Sequence, residues 1–378
     1  MKTSEMKVIT LTGSPFEQGR IHGELLKNQV RDIIERFKRS IVLDRRMDPE
    51  LYIKEFLDYG LFDDAVQQWT PQLWQEMKGI AQGADVDFDM IRALQYGDEE
   101  WVYGQYYHNA PAPHKCTSFA LMPQSGHPAY AGQNMDAQSW IDGRQVLFHI
   151  KDEKNSLESF VFSHAGLTGL NGMNSAGLGV CCNTLIQLGS CRDGLPVGAV
   201  MRGVLACKTF EEASNFLYNI KHASGQNYIV STRDKIGCFE CSADFVVEYK
   251  PASYPNRVCH SNHPLTNKDT QHYDNHIKMH SEAGMLTTKK NSKARYASIE
   301  RRLCANNNKV TLNDIKNALS SFDDLKNPVC RELQPDDPHG LINFTTGSMI
   351  YEFGDELKLH LASGPPSITK YKIFNFQG

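Results

Sequence analysis

The chain has 378 residues, 40% hydrophobic and 22% charged, an ordinary soluble globular composition with enough length for one large domain or two smaller ones. The net charge of -4 is small and the two signs are interspersed, which excludes nucleic acid or an anionic membrane as the main partner. No run approaches the roughly 18 apolar residues of a membrane span. The opening MKTSEMKVITLTGSP lacks the apolar core of a secretory signal, so the cytoplasm is the expected compartment.

Val8 to Thr12 alternates as a short strand, and Gly13-Ser14-Pro15 interrupts it. Ser14 followed by Glu17 has capping-box spacing, with Pro15 at the first helical position. The next helix carries Ile21, Leu25, Leu26, Val30, Ile33, Ile34 and Phe37 at helical spacing. Gly19 and Gly23 share one of its faces; glycine weakens a helix, so close packing is expected there. Residues 48–100 read as further amphipathic helices, the last over 87–95 with Asp87 as its capping acid. The first hundred residues are thus mostly helical.

Past residue 110 the pattern changes. A Pro-rich segment, APAPHK, runs into Cys116. Thr117 to Met122 then reads as a strand, followed by a Gly/Pro turn, a second strand from Ala129 to Gly132 and a Gln-Asn-Met-Asp tail. Residues 147–150 and 158–162 are strands, and the Gly-rich 166–183 is a strand, a tight turn at 173–177 and a strand. Residues 199–206 and 210–220 are helices; 228–231, 237–242 and 245–249 are strands. The charged stretch 268–308 is helix-like, with Ser292 as an N-cap, and 312–320 is another short helix. Residues 348–353 and 357–362 form a hairpin about Gly354-Asp355. This order gives α+β layers rather than alternating βα units.

Ten scattered cysteines are not the dense framework of a small secreted domain, and most are expected to be reduced thiols. Cys116 is the candidate nucleophile. It stands at the edge of a strand, after a proline-stiffened loop whose His114 and Lys115 would lower the thiol pKa. The plain alternative is a buried thiol at a strand start. Cys238-x-x-Cys241 has redox or metal spacing, yet inside a strand its two thiols face opposite ways. His272, His276 and His280 share a helical face without a metalloprotease glutamate, so a metal is not expected there. The Gly-rich stretch lacks the order of a nucleotide-binding loop.

Several blocks, in order, carry a family resemblance. They are Gly13-x-Pro15-x-x-x-Gly19-x-x-x-Gly23, then Cys116-Thr117 followed by Gly132-Gln133-Asn134-Met135-Asp136, and then Gly172 to Leu178 with Asn183. His260-Ser261-Asn262-His263 and Ser292-x-x-Arg295 complete the series. Together they resemble the autoproteolytic isopenicillin-N acyltransferase family (peptidase family C45, N-terminal nucleophile hydrolases). The resemblance implies a four-layer αββα sandwich and self-cleavage of the Lys115–Cys116 bond. Residues 1–115 would then be a helical pro-part or α subunit and 116–378 the catalytic β subunit, in one integrated domain. It also implies that Cys116 is the nucleophile and that Asp136 orients the new α-amine. Asn262 would donate its side-chain NH2 to the oxyanion, and Arg295 would pair with Asp136 or a substrate carboxylate. Taken by themselves, Asp136 and Asn262 read as turn residues and Arg295 as an exposed helix arginine. Lys115 departs from the family's usual small residue before the cysteine.

The expected function is therefore an autoproteolytic cysteine amidohydrolase or acyltransferase. It would act on an amide or thioester through a Cys116 acyl-enzyme. The partner is a small-molecule acyl or amide substrate, with acyl-CoA one candidate donor. No cofactor or metal is implied, and the oligomeric state is left open. The rivals are a non-cleaving, ligand-binding relative and a thiol redox or metal protein built on Cys238/Cys241 or the His272 helix.

Overall fold

Two β-sheets lie face to face, each covered by helices on its outer side. The computed structural model describes residues 6–108, 116–274, 283–305, 309–337 and 340–376. The N-terminal part holds strand β1 (Lys7–Leu11) and helices α1 (Pro15–Leu25), α2 (Lys27–Arg45), α3 (Pro49–Tyr59), α4 (Phe62–Trp69), α5 (Pro71–Ala84), α6 (Phe88–Gln95) and α7 (Gly97–His108). Strands β2 (Thr117–Leu121), β3 (Ala129–Gln138), β4 (Gln145–Asp152), β5 (Leu157–His164), β6 (Asn171–Asn174) and β7 (Gly179–Thr184) follow. Helices α8 (Val197–Leu205) and α9 (Phe210–Asn219) lead to β8 (Gln226–Ser231), β9 (Ile236–Cys241), β10 (Val246–Glu248) and β11 (Arg257–His260). Helices α10 (Ala283–Ile299) and α11 (Leu312–Leu319) precede β12 (Asn343–Phe353), β13 (Leu357–Ala362) and β14 (Lys372–Asn375).

The first sheet has the order β1-β4-β5-β6-β7-β8-β9-β10 and the second β11-β2-β3-β12-β13-β14. Strand periodicity assigns the layers. On β4, Val146, Phe148 and Ile150 join the cluster under α1–α9, while Leu147 joins the core between the sheets. On β12, Met349, Tyr351 and Phe353 face that inter-sheet core, and Ile350 faces outward to Ile299, Leu303 and Ile315. The result is the αββα sandwich that the resemblance implied.

Strand β1 lies parallel to β4 and forms one edge of the first sheet, so the N-terminal segment is woven into the sandwich. The glycine expectation is met at the α1–α5 crossing. A Cβ on Gly19 would lie 1.9 Å from the Glu76 carbonyl oxygen, and one on Gly79 2.1 Å from that of Phe16. Ser14 caps α1 as expected, accepting from the Glu17 N–H at 3.3 Å.

Three expectations need correction. Strand β3 runs on to Gln138, so Gln133 to Asp136 are strand residues and not a tail, because β12 pairs with that whole length. Ser292 lies in the middle of α10, not at its N-cap; its hydroxyl serves another segment, as described below. Strand β14, absent from the sequence reading, pairs with β13. Cys238 and Cys241 face opposite layers, as argued from their spacing. His276 and His280 lie outside the described residues, and His272 packs edge-on against Tyr106. Among the described residues no cluster of His, Cys, Asp or Glu is arranged to hold a metal ion. Nor is any described helix long and apolar enough to cross a membrane.

Candidate active site

Register brings the candidate residues together. Strand β11 pairs antiparallel with β2, with His260 opposite Ser118, so continuing two residues past that pair on each chain sets Asn262 beside Cys116. On the other side β3 pairs with β2, with Asn134 opposite Thr117, which carries Asp136 to the same end of the sheet. Helix α10 crosses the outer face and sends Arg295 into that end.

Cys116 is 5% exposed. Its backbone nitrogen donates to Asn262 Oδ1 at 2.8 Å. Arg295, 1% exposed, holds the same constellation. Its Nη1 donates to the Cys116 carbonyl oxygen and to Thr117 Oγ1 at 2.8 Å, its Nη2 to Asn262 Oδ1 at 2.8 Å, and its Nε to Asn291 Oδ1 at 2.9 Å. A guanidinium has no acceptor, so the contact with Arg295 fixes which end of the Asn262 amide is oxygen. The amide nitrogen, Nδ2, donates to the Thr184 carbonyl at 3.0 Å.

Burial draws the Arg295 guanidinium down to about 10, with Asp136 opposing the drop. Burial also pushes the Cys116 thiol up to about 12, and the nearby Asp136 carboxylate adds to the rise. The thiol is therefore neutral at physiological pH, and its chemistry needs a base to remove the proton. The expectation that His114 and Lys115 lower this pKa falls on residues outside the described ones; the groups described around the sulfur raise it on balance.

Asp136 is fully buried on β3. Its Oδ1 accepts from Thr345 Oγ1 at 2.7 Å, and its Oδ2 lies 3.5 Å from Arg331 Nε. Pairing with Asp136 is one of the two expectations for Arg295, the other being a substrate carboxylate; the ion pair described for Asp136 is with Arg331. Arg331 lies at ion-pair distance from the carboxylate, while the fork of Arg295 is filled by neutral oxygens of Cys116, Thr117, Asn262 and Asn291. The expectation that Arg295 is an ordinary exposed helix arginine is overturned by the same contacts. Asp136 is likewise a buried strand residue and not a turn residue, whereas Asn262 does lie in the bend after β11 but is buried, with its side chain engaged.

Residues named in the sequence only as parts of motifs, together with Glu240, which sequence reasoning passed over, hold this set in place. Ser292 Oγ accepts from the Asn262 N–H at 2.8 Å and contacts Ser261 Oγ at 2.9 Å and His263 Nδ1 at 2.8 Å. Glu240 accepts from the backbone N–H of Leu265, Thr266 and Asn267 and contacts His260 Nε2, anchoring the loop that follows Asn262. The Ser292-x-x-Arg295 spacing signalled this arrangement, since i and i+3 share a helical face.

An apolar pocket opens onto Cys116. Leu94, Met135, Trp140, Ile141, Leu167 and Leu170 form much of its wall, and Asp98, Gln133, Asn171 and Thr184 supply polar groups. The geometry places a buried thiol on the wall of an apolar pocket, with its backbone nitrogen and carbonyl held by Asn262 and Arg295.

Comparisons with known proteins show what the chain is similar to. The family described as "Acyl-coenzyme A:6-aminopenicillanic acid acyl-transferase" matches residues 122–343, more than half of the chain. The 40 kDa form of acyl-coenzyme A:6-aminopenicillanic-acid-acyltransferase of Emericella nidulans is 24% identical over 267 residues, spanning 68% of this chain and 70% of that protein. Among solved structures, a Caenorhabditis elegans ortholog of N-acylethanolamine-hydrolyzing acid amidase aligns with a TM-score of 0.40 at 16% identity, covering 63% of this chain and 93% of that one. Penicillin V acylase from Agrobacterium tumefaciens aligns with a TM-score of 0.41 at 16% identity, covering 69% and 86%.

Proposed function

This chain belongs to the acyl-coenzyme A:6-aminopenicillanic acid acyl-transferase family, and we propose that it is an N-terminal nucleophile acyltransferase or amidohydrolase working through a thioester on Cys116. The observation that carries this reading is the 2.8 Å contact between the Cys116 nitrogen and Asn262 Oδ1, with Arg295 bound to both residues. A nitrogen so restrained is where a newly freed α-amine would sit.

In the precursor, Cys116 Sγ attacks the Lys115 carbonyl carbon, the peptide bond breaks, and the acyl chain moves from nitrogen to sulfur. Water then hydrolyses that thioester and leaves Cys116 with a free thiol and a free α-amine. An α-amine titrates near pH 8, roughly, so a useful fraction is unprotonated at neutrality and can take the proton from a thiol that burial keeps neutral. The sulfur then adds to the carbonyl of an amide or thioester. The remaining Asn262 Nδ2 hydrogen donates to the oxygen that becomes negative, a contribution of about 3 kcal/mol when such a donor is preorganised. Collapse expels the leaving amine or thiol with a proton, and water or an acceptor amine resolves the acyl-enzyme. Asp136 steadies the α-ammonium, and Arg295 acts as a positioning residue. Acyl-CoA, in the name of the Emericella relative, is one donor that fits this chemistry.

Residues 1–115 and 116–378 would be the two products and would remain one body, because β1 stays paired in the first sheet and α1–α7 bury apolar faces. The ten free thiols accord with a reducing compartment such as the cytoplasm.

Intact-mass measurement of the purified protein beside Cys116→Ala tests the proposal. Dividing 42.7 kDa in proportion 115:263 gives pieces of about 13 and about 30 kDa. We expect both from the wild type and neither from the variant. A wild type that stays whole, or a variant that is cut, would overturn the autoproteolytic step.

A further inference from the structure

The pocket that ends at Cys116 is lined by neither lysine nor arginine among the described residues. Its one carboxylate among the described residues is Asp98, on α7, which lies outside every motif that carries the family resemblance. Asp98 Oδ2 accepts from Thr184 Oγ1 and Gln226 Nε2, both at 2.7 Å. No donor among the described residues bonds to Oδ1. Asn171, fully buried in the same pocket, turns its Nδ2 to Met135 Sδ at 3.5 Å and leaves its Oδ1 without a partner among the described residues. Two acceptor oxygens are thus left for a donor that the described residues do not supply. The surrounding walls include Trp101, Trp140 and Phe37, aromatic faces that tolerate a cation.

We infer that the acyl group taken up by Cys116 carries an ammonium group, bound by Asp98 Oδ1 in the pocket that Asn171 Oδ1 also lines, and that acyl groups bearing a carboxylate or phosphate are refused. This rests on the acyl-enzyme reading above. Assignment to the acyl side follows from enclosure: Gln133, Asn171, Leu167, Cys182 and Val197, which line the pocket, are all at least nine-tenths buried. The part of the substrate that remains on the sulfur occupies an enclosed space, while the departing amine must reach solvent. Burial raises Asp98 to about 6, against the pull of Thr184 and Gln226, so the carboxylate is ionised at neutral pH and above. Glu99 is the neighbouring acid; burial and Asp98 raise it further, and its Oε1 is taken by Ser224 and by the Val197 N–H. It therefore adds little charge to the pocket at neutrality.

The test uses the full-length protein and three p-nitroanilides of matched length: 4-aminobutyryl (cationic), valeryl (neutral) and glutaryl (anionic). Release of nitroaniline is followed together with the mass of acylated Cys116. We expect kcat/KM to fall in that order, with the cationic probe favoured over the neutral one by about 30-fold or more, the value of one desolvated charge pair. Asp98→Asn should collapse that ratio to within about threefold of unity. A variant in which both probes fall equally, with the ratio kept, would make Asp98 merely structural and overturn the inference. So would a wild type that takes the neutral or anionic probe as fast as the cationic one, and this comparison needs no variant to fold. Acylation of Cys116 by the neutral probe alone would sink only this inference; no acylation by any of the three would sink the acyl-enzyme reading with it.

Discussion

Asn262 joins three parts of the site, and a pair of substitutions separates what it does. Its Oδ1 accepts from the Cys116 nitrogen and from Arg295 Nη2, each at 2.8 Å, and its Nδ2 donates to the Thr184 carbonyl at 3.0 Å. Asn262→Ala removes all three. The bond to the buried guanidinium is worth about 2 kcal/mol and each neutral bond about 1 kcal/mol, so the variant should lose roughly 4 kcal/mol of stability. Asn262→Asp keeps both acceptor contacts and strengthens the one to Arg295. It loses the donor to Thr184 and sets two oxygens against each other, a cost of about 1–2 kcal/mol. Urea unfolding measures both costs. The rate of acylation of Cys116, followed by mass, then separates the roles. If the amide NH2 stabilises the oxyanion, Asn262→Asp should acylate about 100- to 1,000-fold more slowly despite its near-normal stability. An aspartate variant within tenfold of the wild type would refute the donor role and leave Asn262 as a clamp on the Cys116 nitrogen.

Two further outcomes follow from the packing and from the buried acids. Gly19→Ala places a methyl 1.9 Å from the Glu76 carbonyl oxygen at a backbone-to-backbone crossing. It should cost about 3 kcal/mol or more in urea unfolding, and a cost under about 1 kcal/mol, the ordinary helix-propensity range, would contradict the close crossing. Glu99 is raised to about 8 and Asp98 to about 6, chiefly by burial. Both folded values exceed the unfolded ones, so the folded state holds more protons between about pH 4 and pH 8 and stability falls as pH rises through that window. Glu99→Gln should flatten the upper part of that fall and raise Tm above the wild type at about pH 9, with the advantage gone near pH 4. Parallel Tm curves for the two proteins would show that Glu99 is not the titrating group.

Much of the fold could be read from the chain because its layers obey simple periods. Helices with apolar stripes, such as α2, and strands with alternating faces, such as β4 and β12, announce which side is buried. The Cys116 strand start, the buried Gly19/Gly23 face and the hairpin about Gly354 needed nothing more. Asp136 was legible as a residue but not as an environment. It sits in the last part of a strand whose length is set by β12, and β12 lies more than 200 residues away along the chain. No local signal carries that information. The same holds for Arg331, which meets Asp136 only in the folded sandwich.

Helix α10 shows why the rest was hidden. Asn291, Ser292, Arg295 and Ser298 are all buried, with spacing i, i+1, i+4 and i+7. That is the spacing of a core-facing stripe, but every member is polar, so a search for apolar periodicity reads the face as exposed. The face can be buried because its hydrogen bonds are met. Arg295 is satisfied by Cys116, Thr117, Asn262 and Asn291, Ser292 by the loop carrying Asn262, and Ser298 by Asp323. A buried polar stripe costs stability unless its partners are in place, so it holds position more than it adds hydrophobic stabilisation. Here it fixes the Cys116 carbonyl and the Asn262 amide to a helix. In this chain, polar residues at core spacing on one helical face mark the site more directly than any single motif.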